Sequence, residues 1–444
     1  MRGFEHRSSS GQSHGQRVPH GSGPSIVHVM AGELDSGAGR GAYWLHQALL
    51  NRGLRSTMVC SGLGVPGDPT VQRAVVGLGP QLWQRVSAQW AELPVRFYPN
   101  RQRRLFSTGL DGYGVAHLPA VREADIVHLH WVNGLMSLKQ IRAIRQPVVW
   151  TLRDMWPFTG GCHYAMGCEN YRAGCGACPQ LRSSARTDLS SRVFGNKRRS
   201  LPARLTPVGI SHWLSDCAVA SGVFGAEPIE TIPNGIDPDR FRPLPRDAAR
   251  AALGLAQDAT VVMFAAQRVA ESYKGFEELR QALQRMPPGR IHLLLAGRAS
   301  PELLAGLPMP CTAMGYVNDD ERLCQAYSAA DVFVAPSLME AFGKTLVESL
   351  ACGTPVVCFD ATGPRDIVDH ELTGYRARPF DAEDLARGLL WLLDRSADER
   401  ARMRLRCREQ ALARFDIAAV AERYEALYRR VWPGPAATAT RARA

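Results

Sequence analysis

A chain of 444 residues exceeds what one ordinary hydrophobic core holds and suits two domains of roughly 200 residues each. An apolar content of 45% with 21% charged residues excludes a fibrous or disordered polypeptide, and no stretch approaches the ~18 consecutive apolar residues of a membrane-spanning helix. The net charge of +11 suits nucleic acid, an anionic membrane face or a phosphorylated substrate. Its basic runs lack the aromatic interleaving of a single-strand-binding surface, which sets nucleic acid aside.

In chain order, residues 1–24 are rich in Gly, Ser, His and Arg, lack the apolar core of a secretory signal, and read as a disordered tail on a cytoplasmic protein. An alternating apolar strand at 24–30 is followed by the Gly-rich loop Gly37-Ala38-Gly39-Arg40-Gly41 and a helical pattern over 42–51. Short β-branched runs at 56–60, 124–130, 147–152 and 205–211 alternate with helical segments, the pattern of a parallel sheet covered on both faces. Within the run at 124–130, alternation puts His128 and His130 on one face, where His130 could meet a ligand. The basic runs at Arg101, Arg103 and Arg104, at Lys197, Arg198 and Arg199, and from Arg400 to Arg408 read either as solvated faces or as contacts with a membrane surface.

The turn-rich stretch at 232–245 is a connector, after which a second strand–helix series begins. Its strands are expected at 260–266, 290–297, 311–316, 331–337 and 354–360. The fold class is therefore α/β, with two doubly wound Rossmann-like domains at 25–235 and 236–416 facing a central cleft at the carboxyl ends of their strands. A last helix at 417–432 is placed so that it could cross back to the first domain, and 433–444 reads as a second disordered tail.

Eleven cysteines without an export signal point to reduced thiols. Cys162, Cys168, Cys175 and Cys178 fall within seventeen residues, and four thiolates satisfy a tetrahedral structural zinc; free thiols in a substrate loop, or disulfides in an oxidising compartment, are the alternatives. The only Asp-x-Asp weighed as a metal holder, Asp237-Pro238-Asp239, belongs to a turn, so no catalytic metal is expected.

The most specific pattern is Glu340-Ala341-Phe342-Gly343-Lys344-Thr345-Leu346-Val347-Glu348, with Pro336-Ser337 before it and SLACGTPVV after it. Amides at the opening of the helix near Phe342, Gly343 and Lys344 can bind an anion, and Glu348 can accept from a vicinal diol such as a ribose. With IPNGID, the AAQR and YKG pair and YSAADVFVAPS in order, this pattern resembles the family 4 retaining glycosyltransferases, which have the GT-B fold. The resemblance covers nearly all of 26–432. It implies that 25–235 is the acceptor side and 236–416 the nucleotide-sugar side, with Arg268, Lys274 and Glu340 as the catalytic set. It also implies donor contacts from Gly39, Arg268, Lys274, Phe342, Gly343, Lys344 and Glu348. The donor would be a nucleotide diphosphate sugar of UDP or GDP type, the acceptor a saccharide or lipid-linked hydroxyl, and the enzyme could sit at the inner face of the plasma membrane.

The segment TLRDMWPFTGGCHY at 151–164 is similar to a subgroup that builds bacterial exopolysaccharides of the colanic-acid kind. Arg153 stands where that subgroup has His, and with Asp154 and His130 it is assigned to the acceptor or sugar pocket. Two other classes share the architecture: a sugar-nucleotide epimerase or phosphorylase, and a non-catalytic carbohydrate-binding protein.

Overall fold

The computed structural model describes residues 23–432 and 434; all but residues 23, 24 and 434 of the tails expected at 1–24 and 433–444 lie outside them. Two wholly parallel sheets organise the chain. The first runs through β1 (Ser25–Met30), β2 (Arg55–Cys60), β3 (Val71–Arg73), β4 (Ile126–Leu129), β5 (Val148–Leu152), β6 (Leu205–Gly209) and β7 (Glu230–Thr231), in the spatial order β3-β2-β1-β4-β5-β6-β7. The second contains β8 (Thr260–Arg268), β9 (Ile291–Arg298), β10 (Cys311–Ala313), β11 (Val332–Ala335), β12 (Val356–Phe359) and β13 (Gly374–Ala377), in the order β10-β9-β8-β11-β12-β13. In each, the chain reverses its direction of growth beside the first strand, between β1 and β4 and between β8 and β11. That switch point is where an open parallel sheet leaves a crevice at its carboxyl edge.

The strands form where β-branched and aliphatic residues run together, because both faces are covered. β4, β5, β11 and β12 are buried at every position. Three strands carried no such run. β3, β7 and β13 are short edge strands that owe their pairing to the register of their neighbours, Met58 to Val71, Val208 to Glu230 and Val356 to Gly374. The strand expected at 311–316 ends at Ala313 because it pairs only with β9, from Leu293 to Leu295.

The Gly-rich segment is not a loop. Helix α1 spans Gly37–Asn51, capped by the Ser36 hydroxyl accepting from the Gly39 amide at 3.1 Å. Glycine is used there for clearance. A Cβ on Gly39 would stand 2.3 Å from the Glu33 carbonyl oxygen, and one on Gly41 would stand 2.8 Å from an Arg153 nitrogen and 2.9 Å from Asn234 Oδ1. A second helix, α2 (Leu78–Arg96), follows β3.

The helix Ile417–Val431 packs on the first sheet although it follows the second. Tyr424 and Tyr428 bury against Ile26, Leu45, Ile126 and Val149, and their hydroxyls reach Thr151 at 2.8 Å and His128 at 2.7 Å. The backbone ties this crossing to the connector, with Ile236 N donating to Phe415 O at 2.7 Å and Ile417 N to Ile236 O at 2.9 Å.

Two of the basic runs turn inward rather than to solvent. Lys197 is buried and donates to the Thr159 carbonyl at 2.9 Å. Arg408 donates to the carbonyls of Ala351 and Pro238, both at 2.8 Å, and Arg404 to those of Ala330 and Ser328. These side chains satisfy carbonyls at helix ends and in the connector, so the charge runs they belong to are in part internal struts.

Candidate active site in the interdomain cleft

The carboxyl edges of both sheets open on one cleft. One wall is the turn after β1 and the start of α1, with Asp35, Ser36, Gly37 and Arg40. The other wall is the end of β8, the loop at Tyr316 and Val317, and the helix Lys344–Ala351 with Lys344, Thr345 and Glu348. Arg40 joins the walls through an ion pair with Asp320, which Arg240 also reaches at 3.2 Å.

The helix Lys344–Ala351 begins at Gly343, whose φ of 110° lies in the left-handed region and whose residue offers no capping side chain. Among the described residues, the Lys344 and Thr345 amides have no protein acceptor. Free amides and the positive end of a helix dipole therefore open into the cleft beside a lysine. The Lys344 ammonium lies 3.7 Å from the centre of the Trp44 ring and 3.7 Å from Glu348 Oε1, with no hydrogen-bond partner. Burial pushes its pKa down to about 7, against the pull of Glu348. Glu348 is itself buried and accepts from the Tyr327 hydroxyl at 3.0 Å, which leaves carboxylate capacity facing the cleft.

Lys274 and Glu340 meet outside that pocket, Nζ to Oε2 at 2.5 Å, where the turn after β8 approaches the loop after β11. Gly275 makes that approach possible: its φ is 73°, and a Cβ would stand 1.8 Å from the Pro336 carbonyl oxygen. Arg268 is exposed at the end of β8. Phe342 points inward, edge-on to Phe415 at 5.8 Å, so only its backbone is available to a ligand. Gly39 is buried with its amide spent on Ser36, and the surface it was expected to offer is made by Ser36, Gly37 and Arg40 instead.

His130 and Arg153 meet beneath α1, while the side chain of Asp154 joins a neighbouring set with Trp131, Trp156 and His163. Arg153 donates to Asn234 Oδ1 and, at 3.0 Å, to His130 Nδ1, with Gly41 directly above. Burial lowers its pKa from 12.5 to about 10. Asp154 accepts from Trp131 Nε1 at 2.9 Å and the Trp156 amide at 2.9 Å, and pairs with His163 Nδ1 at 2.6 Å. His28, His128 and His130 are the one group among the described residues whose ligand atoms converge to metal-binding distances. Most of their nitrogens are already committed, His28 Nδ1 with His130 Nε2 at 2.9 Å, His130 Nδ1 to Arg153, and His128 to Tyr428 and Thr151, both at 2.7 Å, while His28 Nε2 is buried without a partner. Burial holds all three well below their ordinary pKa, and the Arg153 cation beside them opposes a metal ion. The cluster is a neutral floor, hydrogen-bonded at every ring nitrogen but His28 Nε2.

The four clustered cysteines are free thiols lining one small apolar cavity with Tyr171. Burial raises the pKa of Cys162 to about 11 and of Cys175 to about 12. No three of their sulfurs lie within 4.8 Å of one another. A larger, mostly apolar cavity opens nearby between the halves, lined by Met155, Met166, Trp213, Met339 and Phe380.

Trp44 and Asp320 also belong to the cleft but carry no motif, while Arg40 and Tyr327 lie inside the Gly-rich segment and the YSAADVFVAPS run without standing out there. The signal for Arg40 and Trp44 is the four-residue spacing within α1 that stacks the Arg40 guanidinium on Trp44, 4.9 Å from the ring centre.

Two family models account for most of the chain: Glycosyltransferase Family 4 matches residues 36–240, and Glycosyl transferases group 1 matches 245–412. The chain belongs to the family 4 glycosyltransferases of GT-B architecture. The glycosyltransferase is 31% identical over 302 residues to the D-inositol 3-phosphate glycosyltransferase of Saccharomonospora viridis, a match spanning 62% of this chain and 64% of the relative. It is 33% identical over 311 residues to D-inositol 3-phosphate glycosyltransferase 2 of Catenulispora acidiphila, with 63% and 66% covered. The matched stretch is thus just under two thirds of either relative's length. Among solved structures, HepE of Anabaena in complex with UDP and glucose superposes with a TM-score of 0.62 at 18% identity, covering 92% of this chain and all of that one. Sucrose-phosphate synthase from Thermosynechococcus elongatus superposes with a TM-score of 0.64 at 20% identity, over 92% and 99%. At these identities the superpositions speak for the fold.

Proposed function

We propose that the cleft transfers a sugar from a nucleotide diphosphate sugar of UDP or GDP type to an acceptor hydroxyl, with retention at the anomeric carbon. The observation that carries this reading is the helix opening at Gly343, where unsatisfied amides and the Lys344 ammonium, without a hydrogen-bond partner, face the same space as Glu348. That set complements a ribose diol and a diphosphate together. The family pattern gives Arg268 and Lys274 the departing diphosphate, where charge-assisted hydrogen bonds worth about 1.5–3 kcal/mol each would strengthen as negative charge develops. Glu340, held by Lys274, takes hydroxyls of the transferred sugar, and His130, Arg153 and Asp154 support the sugar pocket from below. The leaving phosphate accepts the acceptor's proton, so no separate base is required and no catalytic metal enters.

For the acceptor we propose a saccharide on a lipid carrier, presented at a membrane surface, in exopolysaccharide assembly of the kind that the TLRDMWPFTGGCHY segment resembles. The apolar cavity beside Met339 supports an amphipathic acceptor. The names of the relatives favour a second reading, a phosphorylated polyol, which Arg40 could meet at the cleft mouth.

The test is release of nucleoside diphosphate from UDP-, GDP- and ADP-sugars, with no acceptor, with inositol phosphates, and with lipid-linked saccharides. Acceptor-dependent release identifies the acceptor class. Donor binding without release on any acceptor would favour a non-catalytic carbohydrate-binding protein, and interconversion of the donor sugar without an acceptor would favour an epimerase.

A further inference from the structure

Helix α2 carries an apolar face that no part of the described chain covers. Its inward side is set by Ala91 and Val95: Thr108 Oγ1 donates to the Ala91 carbonyl at 3.1 Å, and Val95 packs with Cys178 and Leu181. At 3.6 residues per turn, Leu82, Trp83, Val86, Trp90 and Leu93 share a stripe roughly 100° wide on the opposite side. Trp83 is 60% exposed, Trp90 68% and Leu82 63%, and Phe97, just past the helix end, is 85% exposed. Single exposed apolar residues are ordinary; a contiguous stripe with two tryptophans marks a contact surface.

Charge decides what covers it. Arg85 and Arg96 are exposed along one flank of the stripe, and Arg103 and Arg104 are exposed just beyond the helix. The other two basic runs also expose arginines, Arg198 and Arg199 in one and Arg402 and Arg406 in the other, but only these four border an uncovered apolar stripe. Glu92 is the one acidic side chain of the helix. No helix among the described residues is long and apolar enough to cross a bilayer. An amphipathic helix with tryptophans on one face and arginines at its margin suits the interfacial plane of an anionic bilayer, rings at headgroup depth and guanidinium groups on lipid phosphates.

We propose that α2 docks the protein on anionic lipid, with Trp83, Trp90 and Phe97 inserted and Arg85 and Arg96 at the headgroups. This gives the membrane contact of the proposed function a location; it rests on that reading for its purpose, while its geometry stands apart from the cleft. The experiment is co-sedimentation of the full chain with phosphatidylcholine vesicles with and without 30% phosphatidylglycerol, on the order of the anionic content that attracts basic segments. Wild type should sediment with the anionic vesicles and not with the neutral ones. The Trp83→Ser/Trp90→Ser variant should lose at least tenfold in partitioning, and Arg85→Gln/Arg96→Gln should lose the preference for anionic lipid. Both should keep nucleoside diphosphate affinity, so failure of the cleft reading and failure of this one are read separately. Wild type that ignores anionic vesicles, or a double-Trp variant that binds them as wild type does, overturns the proposal. So does a wild-type dimer that leaves vesicles alone and becomes monomeric in the double-Trp variant.

Discussion

Lys344 is a buried ammonium without a hydrogen-bond acceptor at the mouth of a helix, a costly arrangement that Glu348 at 3.7 Å offsets only in part and that a bound anion would complete. With a pKa near 7 it is charged below that pH and neutral above, and a bound diphosphate favours the charged form. Binding should therefore take up a proton above pH 7, and affinity should fall by up to tenfold per unit as pH rises toward 9. Calorimetric titration of UDP at pH 8 in two buffers of different ionisation enthalpy should show the uptake, and Lys344→Met should abolish it; no uptake in wild type would mean that the ammonium does not meet the ligand. Arg153 poses a different question. Its guanidinium already has Asn234 and His130, so Arg153→His, which keeps one donor for that pair, should retain turnover on neutral donors within roughly tenfold, the worth of about one hydrogen bond. A loss confined to donors bearing a carboxylate would show instead that Arg153 reaches the sugar.

At the scale of elements, glycines set the distances between parts of the cleft. Gly41→Ala would press a methyl group into Arg153 and Asn234 at 2.8 and 2.9 Å, and should destabilise the protein by about 1–3 kcal/mol in chemical denaturation. An unchanged midpoint would show that the floor yields freely. The cysteine loop is the other element at issue. If zinc clamps it, purified protein should contain about one zinc per chain, lost in Cys175→Ser; folded protein purified without chelator and free of zinc would refute the site. Buried β-branched runs located most strands, and the Glu340 to Glu348 pattern located the helix that opens the cleft. The glycines of α1 misled because helix propensity argues against them, whereas packing against Glu33 and Arg153 requires them. The edge strands, Trp44 and Asp320 are illegible in the sequence because tertiary neighbours define them, as they define the bond from Tyr327 to Glu348, and the stripe on α2 is hidden because its tryptophans lie among polar residues.

Across the whole molecule, two sheets that each leave a crevice at a switch point make one site only when they face each other. The connector at Ile236, the returning helix Ile417–Val431 and the Arg40–Asp320 pair hold them so, and the Ser211 hydroxyl donates across to the Ala341 carbonyl at 2.7 Å. In the proposed mechanism labour is divided within that site: Glu348 would hold the donor in ground state and transition state alike, and Lys274 would act as the diphosphate leaves. Steady-state kinetics of acceptor-dependent nucleoside diphosphate release, for wild type, Glu348→Ala and Lys274→Ala, tests this most directly. Glu348→Ala should raise the donor KM about ten- to a hundredfold with kcat little changed, the effect of lost hydrogen bonds to a charged group. Lys274→Ala should lower kcat about a hundredfold with KM little changed. Wild-type constants in both variants, or the reverse assignment of KM and kcat effects, would contradict the account.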